Sequence, residues 1–173
     1  MLDLFVLSAD SAEKIPAIVE AATEQDLAAT QDWQTSWGTS FARQLPNKVA
    51  LKRADTLELL GLMAYEVDQK GLAVEILYME SARHSNANLL HAEGGRKRYY
   101  GIAKALFAYA IQVSLDAGFD GILFFKAKTS ELLDYYAREF GARRISAYDP
   151  FRMVVWEDAA ERVISGFRRD LNG

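Results

Sequence analysis

Arg98, Gly101 and Ala103 stand in the order Arg-x-x-Gly-x-Ala, immediately ahead of a long apolar helical pattern. A helix that starts from such a turn leaves the N–H groups of its first turn without intrahelical partners. Those donors, the positive end of the helix dipole and the basic run Arg96-Lys97-Arg98 together make an anion site. Gly101 and Ala103 carry almost no side chain, so a phosphate can come close to the backbone. Arg96, Arg98, Tyr99, Tyr100, Gly101, Ile102 and Ala103 are therefore the residues expected to grip a phosphorylated cofactor.

Two carboxylates lie on the strand-like run that precedes this segment, Glu75 and Glu80. Five positions apart, they face opposite sides of an ideal strand. A carboxylate among apolar neighbours has a raised pKa and can take a proton near neutral pH. The alternative for either is a solvated face or a pair with Lys52 or Arg53. His84 and His91 sit seven apart in a polar stretch, with only Glu93 near them; solvated loop histidines are expected, and no metal site. Asn86 and Asn88 either face a substrate or satisfy turns. Trp33 and Trp37 either line a substrate pocket or pack in the core.

Composition narrows the function classes. The 173 residues suit one domain with a full core. Half are hydrophobic (50%) and a quarter charged (25%), as in ordinary globular chains. A net charge of −4 argues against nucleic acid and against an anionic membrane surface as partner. With no cysteine there is no disulfide, thiolate nucleophile or Cys-ligated metal. No apolar run is long enough to span a bilayer, and Asp3 within a short apolar start argues against a signal peptide. A cytoplasmic protein is expected, with the oligomeric state left open, a homodimer included.

The elements that must position these residues follow from periodicity. Leu2 to Leu7 reads as a strand. Ile15, Ile18, Val19 and Ala22 form a helical stripe, and Trp33, Trp37 and Phe41, at i, i+4 and i+8, predict a second amphipathic helix. Three strands follow at 48–53, 57–65 and 72–80, separated by turn signals, as in an antiparallel meander. Residues 81–95 read as a long polar loop. A buried helix runs from Gly101 to about Gly118, and 121–126 is a short, continuously apolar central strand. A helix capped by Thr129 or Ser130 closes at Gly141. Residues 143–148 and 151–156 flank Asp149-Pro150 as a closing hairpin, and a last helix carries Ala160, Val163, Ile164 and Phe167. The class is α/β with a mixed sheet: an antiparallel meander, then β-α-β-α, then the hairpin. One domain over 1–173 is expected, with its core at 48–156 and a terminal helix at 157–169.

That order, with Arg98 to Ala103 opening the helix after the third meander strand, resembles the GCN5-related N-acetyltransferase (GNAT) superfamily. The strand Val74 to Glu80 and the helix Leu132 to Ala142, with its aromatic followed by Gly141, complete the resemblance, which covers roughly 48–156. It implies acetyl-CoA as co-substrate, with no metal. The diphosphate would sit on the amides of roughly Tyr99 to Ala103, and the pantetheine arm beside the strand end near Met79 and Ser81. It implies acetyl transfer to a primary amine of a small molecule or a protein. The amine must lose a proton, the carbonyl oxygen needs a donor as it becomes an oxyanion, and the thiolate takes a proton. Glu75 or Glu80 is the base, unless a water relays the proton. The family's Tyr falls four residues before the closing glycine. Ala137 stands there, so Tyr136 is assigned as acid. Ser130 stands where the family often has Asn. Two other classes stay open: a non-catalytic CoA-binding module, and a toxin-like acetyltransferase of aminoacyl-tRNA.

Overall fold

The computed structural model describes residues 2–169, leaving out the side chains of Asn88 and Ala92. They divide into two compact units. The first comprises residues 3–64 and 78–106, the second mainly 65–77 and 107–169.

The first unit holds β1 (Phe5–Ser8), β2 (Lys14–Ala21), α1 (Glu24–Ala28), α2 (Ser40–Arg43) and β3 (Lys48–Arg53). It also holds the start of β4 (Leu59–Asp68), the end of β5 (Ala73–Ser81), a 3-10 turn (Arg83–Ser85), α3 (Ala87–Glu93) and β6 (Tyr99–Tyr100). Its strands run in the order β6-β1-β2-β3-β4-β5. β3 matches the expected strand, 48–53, and pairs antiparallel with β4. β4 and β5 are joined by a turn in which the Asp68 carboxylate accepts from Lys70 and Gly71 N–H at 3.0 and 2.9 Å. So short a link between hydrogen-bonded neighbours makes an antiparallel hairpin.

Four expectations change here. The stripe at Ile15, Ile18, Val19 and Ala22 is no helix: the first three lie in β2, antiparallel to β1 on one side and β3 on the other, and Ala22 follows its end. The same residues also read at period two: Ile15, Ala17 and Val19 are the less exposed set. Pairing with both neighbours outweighs the local pattern. Pro16 falls where pairing passes from β1 to β3, where a missing N–H is tolerated. Second, Trp33, Trp37 and Phe41 do not share a helix. Thr30 Oγ1 donates to the Leu27 carbonyl and accepts from Trp37 N–H, each at 2.8 Å, and Thr39 caps α2. These local bonds compete with a continuous helix; both tryptophans are buried and Phe41 is 59% exposed. Third, 81–95 is not a loop but a 3-10 turn and α3. Fourth, Tyr99–Tyr100 forms a strand paired with β1, which no period-two run announced.

The second unit holds the end of β4 and the start of β5, then β7 (Leu123–Lys126), α5 (Ser130–Phe140), β8 (Arg143–Arg144), β9 (Arg152–Val155) and α6 (Glu157–Ser165). α4 (Ile102–Asp116) begins in the first unit and continues through the second. The strand order is β4-β5-β7-β9-β8. β5 and β7 are parallel, the crossover being α4, and β9 is antiparallel to β7 and β8. Thr129 caps α5 through Leu132 N–H, and Gly141 ends it at φ +65°. Phe107, Phe125 and Phe140 pack together at ring distances of 5.1 and 4.6 Å from Phe107. The mixed α/β sheet expected from sequence is present.

Candidate active site

The first intrahelical bond of α4 runs from Ala105 N–H to the Gly101 carbonyl at 3.0 Å. The N–H groups of Ile102, Ala103 and Lys104 thus have no helical acceptor before them. Gly101 has φ +88°, and a Cβ placed there would meet nothing within 4 Å. The turn therefore offers outward donors beside open space, which suits a phosphate.

The expected cradle is shorter than Tyr99 to Ala103. Arg98 N–H donates to the His84 carbonyl at 2.9 Å and Tyr99 N–H to Ser85 Oγ at 3.1 Å, so both are spent inside the protein. The Tyr99 side chain is buried. The Arg98 guanidinium donates to Glu58 Oε1 at 2.9 Å. Arg96 is exposed. Lys97 Nζ lies over the half-exposed Tyr100 ring, 5.4 Å from its centroid. Burial holds the Lys97 ammonium below its ordinary pKa.

In the second unit, β5 is paired with β7 at Val74–Leu123 and Glu75–Phe124. Beyond Glu75 the strand continues to Ser81 with no further β7 register among the described residues. Met79 and Ser81, both partly buried, lie on this continuation. Its main chain is the part of β5 able to pair with an extended amide ligand.

The two carboxylates separate in environment. Glu75 is held by Arg152, whose Nη1 and Nη2 donate to its two oxygens at 2.7 and 3.1 Å. With both oxygens occupied by a guanidinium, Glu75 acts as an anchor of β5 to β9. Glu80 is 5% exposed and accepts from Thr35 N–H at 2.9 and 3.4 Å. Lys52 and Arg53 are engaged elsewhere: Lys52 with Glu20 and Asp26 at 2.7 and 3.1 Å, Arg53 with Asp55 at 2.7 Å.

Tyr136 lies in the aromatic cluster of the second unit, 5.5 Å from Phe107, 5.2 Å from Phe125 and 5.9 Å from Phe140. Burial pushes its phenol up to about 12, so it keeps its proton at neutral pH. Burial also raises the neighbouring Tyr135. Ala137, the position of the family's acid, is exposed.

Sequence reasoning took His84 for a solvated loop histidine and did not single out Ser85 or Glu58; His84 is instead partly buried and engaged with both. His84 Nδ1 lies 2.7 Å from Ser85 Oγ, and its Nε2 3.5 Å from Glu58 Oε1. Asn86 is buried, its amide donating to Gln34 at 3.3 Å; the Asn88 side chain lies outside the described residues. His84, Trp33, Asp32 and Arg83 line an open cleft of roughly 420 Å³ in the first unit. Trp37 is fully buried, edge-on to Tyr78 at 5.8 Å.

Burial outweighs Glu58 and holds the His84 imidazole below the usual histidine pKa. The folded value therefore lies under the unfolded one. Between the two, the unfolded chain carries a proton that the folded chain lacks. Stability is full above the unfolded value, near 6.5, and falls as pH drops towards the folded one, by at most about 1.4 kcal/mol per pH unit for this one proton. Denaturant midpoints of wild type and His84→Gln, compared at about pH 7.5 and 5.5, are expected to show a smaller acid loss in the variant; equal losses would place the proton elsewhere.

No family model matches the sequence, and no curated protein matches it. Solved structures do. The chain is similar to a mutant AtaT toxin bound to the C-terminus of the antitoxin AtaR and acetyl-CoA (15% identity, TM-score 0.55, 86% of this chain and 98% of that one). It is similar to an acetyltransferase of the GNAT family from Listeria monocytogenes (11% identity, TM-score 0.55, 87% and 98%). A third likeness is to AtaT complexed with acetyl-methionyl-tRNAfMet (12% identity, TM-score 0.52, 85% and 98%). The chain thus has the fold of the GNAT acetyltransferases. The expectation, drawn from net charge, that nucleic acid is an unlikely partner finds no support in these likenesses. Among the described residues no helix is long and apolar enough to cross a membrane, and no group of three His, Asp or Glu could hold a metal.

Proposed function

We propose that this chain, with its GNAT fold, is an acetyl-CoA-dependent N-acetyltransferase acting on a primary amine of a small molecule or a protein. The observation that carries the reading is the unspent first turn of α4 behind an open, left-handed Gly101. The β5 edge that outruns its parallel partner supports it. The Ile102–Lys104 amides would hold the diphosphate, and the β5 main chain near Met79 and Ser81 the pantetheine arm. Acetyl-CoA supplies an activated acyl group as a thioester. In this reading a main-chain N–H near Met79 donates to the developing oxyanion. Glu80, directly or through a water, takes the proton from the attacking amine, and the cleft beside Trp33 and His84 receives the rest of the acceptor. Tyr136 protonates the departing sulfur as the C–S bond breaks and the N–C bond forms.

Acetyl-CoA at about 100 times its Kd is expected to add about 2.7 kcal/mol of stability, or roughly 5–10 °C in Tm. Thiol release with a panel of amines would then identify the acceptor. No stabilisation at millimolar acetyl-CoA would end the proposal; stabilisation without turnover on any amine would leave a CoA-binding module. Glu80→Gln keeps an oxygen for Thr35 N–H but removes the base, so kcat is expected to fall about 100-fold or more with acetyl-CoA affinity retained. An unchanged kcat would take the role from Glu80.

A second reading, an aminoacyl-tRNA as the amine, is favoured by the likeness to AtaT bound to acetyl-methionyl-tRNAfMet. Of the basic run, Arg96 and Lys97 remain for such a partner, since Arg98 is paired with Glu58. Acetyl transfer to charged tRNA that weakens steeply with salt would select it. We assign the activity to the cytoplasm, which fractionation would test, and light scattering would show whether the chain is a homodimer.

A further inference from the structure

β6 is two residues long and ends one residue before Gly101, the most permissive backbone position available. So short a strand does not fix the turn that follows it. What fixes it is a cluster of side chains around Tyr99. Its hydroxyl donates to Glu58 Oε2 and accepts from Arg53 Nη1, both at 2.8 Å. Its N–H is held by Ser85 Oγ, and its ring meets the His84 ring edge-on at 5.4 Å. The other oxygen of Glu58 takes the Arg98 guanidinium, and the Arg98 carbonyl accepts from Ala9 N–H at 2.9 Å. Glu58 thus joins Arg98 and Tyr99, two of the three motif residues that lead into Gly101.

We infer that Glu58 is a positioning residue for the cofactor turn: through Tyr99 and Arg98 it holds the α4 N-terminus so that its free amides are aimed before the diphosphate arrives. The inference rests on the proposed function, and deepens it by naming what preorganises the cradle. It also gives Arg98 a role opposite to the one its charge invites. Arg98 braces the turn from Glu58 and is not itself the phosphate ligand.

The two roles predict opposite signs. If Arg98 were a phosphate ligand restrained by Glu58, then Glu58→Gln would free it, remove a nearby negative charge and tighten binding. As a positioning residue, Glu58→Gln weakens it. Two thioesters separate this from general loosening: acetyl-CoA, and S-acetylpantetheine, which lacks the diphosphate. For Glu58→Gln the KM for acetyl-CoA is expected to rise about tenfold, with the KM for S-acetylpantetheine and both kcat values within about twofold. Tyr99→Phe keeps the Glu58–Arg98 pair and the ring packing, and should give the same split, smaller, even if Glu58→Gln folds poorly. Equal losses on both thioesters, no loss on either, or tighter acetyl-CoA binding would each overturn the inference. Wild type that fails to bind CoA in calorimetry would remove the proposed function along with it; wild type that binds, with variants that show no split, would remove this inference alone.

Discussion

Gly101→Glu is expected to abolish acetyl-CoA binding in a protein that still folds. An added Cβ meets no atom within 4 Å, so the substitution creates no clash. The cost is conformational: φ is +88°, and an L-residue there loses about 1–2 kcal/mol, or roughly 2–8 °C in Tm at this chain length. The carboxylate then lies where the Ile102–Lys104 amides await an anion, and the helix dipole stabilises it there. It occupies the cradle and repels the diphosphate. Losing two charge-assisted hydrogen bonds, at about 1.5–3 kcal/mol each, weakens binding by roughly 100- to 10,000-fold. Gly101→Ala bears the backbone strain without the charge and should weaken binding only several-fold. Calorimetry with CoA on both variants checks this. If both bind as wild type does, the first turn of α4 is not the phosphate site.

Tyr136→Phe is expected to lower kcat about 100-fold or more while acetyl-CoA affinity stays within about twofold. The ring packs on Phe107, Phe125 and Phe140, and phenylalanine keeps those contacts, so stability should hold. The hydroxyl alone is lost. Because burial raises its pKa to about 12, it is protonated throughout the neutral range and able to donate to a thiolate. Tyr135→Phe, one position and about 100° round the helix, is the control, expected to be near wild type. Steady-state kinetics on the three proteins decide it. Equal rates for Tyr136→Phe and wild type would mean that the thiolate leaves without an acid.

Much of the fold was legible because local rules carried it. β3 at 48–53 has its bounds in the sequence, and α5 lies between Thr129, one of the two caps that residue type allowed, and a Gly141 stop read from residue type. Asp68 and Gly71 marked the β4–β5 turn. Of the misread elements, β2 and β6 owe their form to strand pairing, while the Trp33–Phe41 region and α3 rest on local bonds and turns that periodicity does not show. β2 looked helical until β1 and β3 flanked it, and β6 carries no pattern apart from β1.

The site divides along the same line. Arg98-x-x-Gly101-x-Ala103 is a contiguous motif whose chemistry comes from backbone geometry at one helix start, so residue types alone pointed to an anion there. Which amides are free was a tertiary matter: Ser85 and the His84 carbonyl consume those of Tyr99 and Arg98. The choice between Glu75 and Glu80 was symmetric in the strand pattern and became unequal only when Arg152, 77 positions away, closed on Glu75. Glu58 gave no sign of itself, since its meaning lies in a hydroxyl 41 positions on. The chain by itself determined that a left-handed glycine opens a helix with unspent amides at this point, because short-range steric and dipolar effects act along the backbone. Tertiary structure decided which charged groups are spent and which stay available, because hydrogen bonds and ion pairs depend on distance in space.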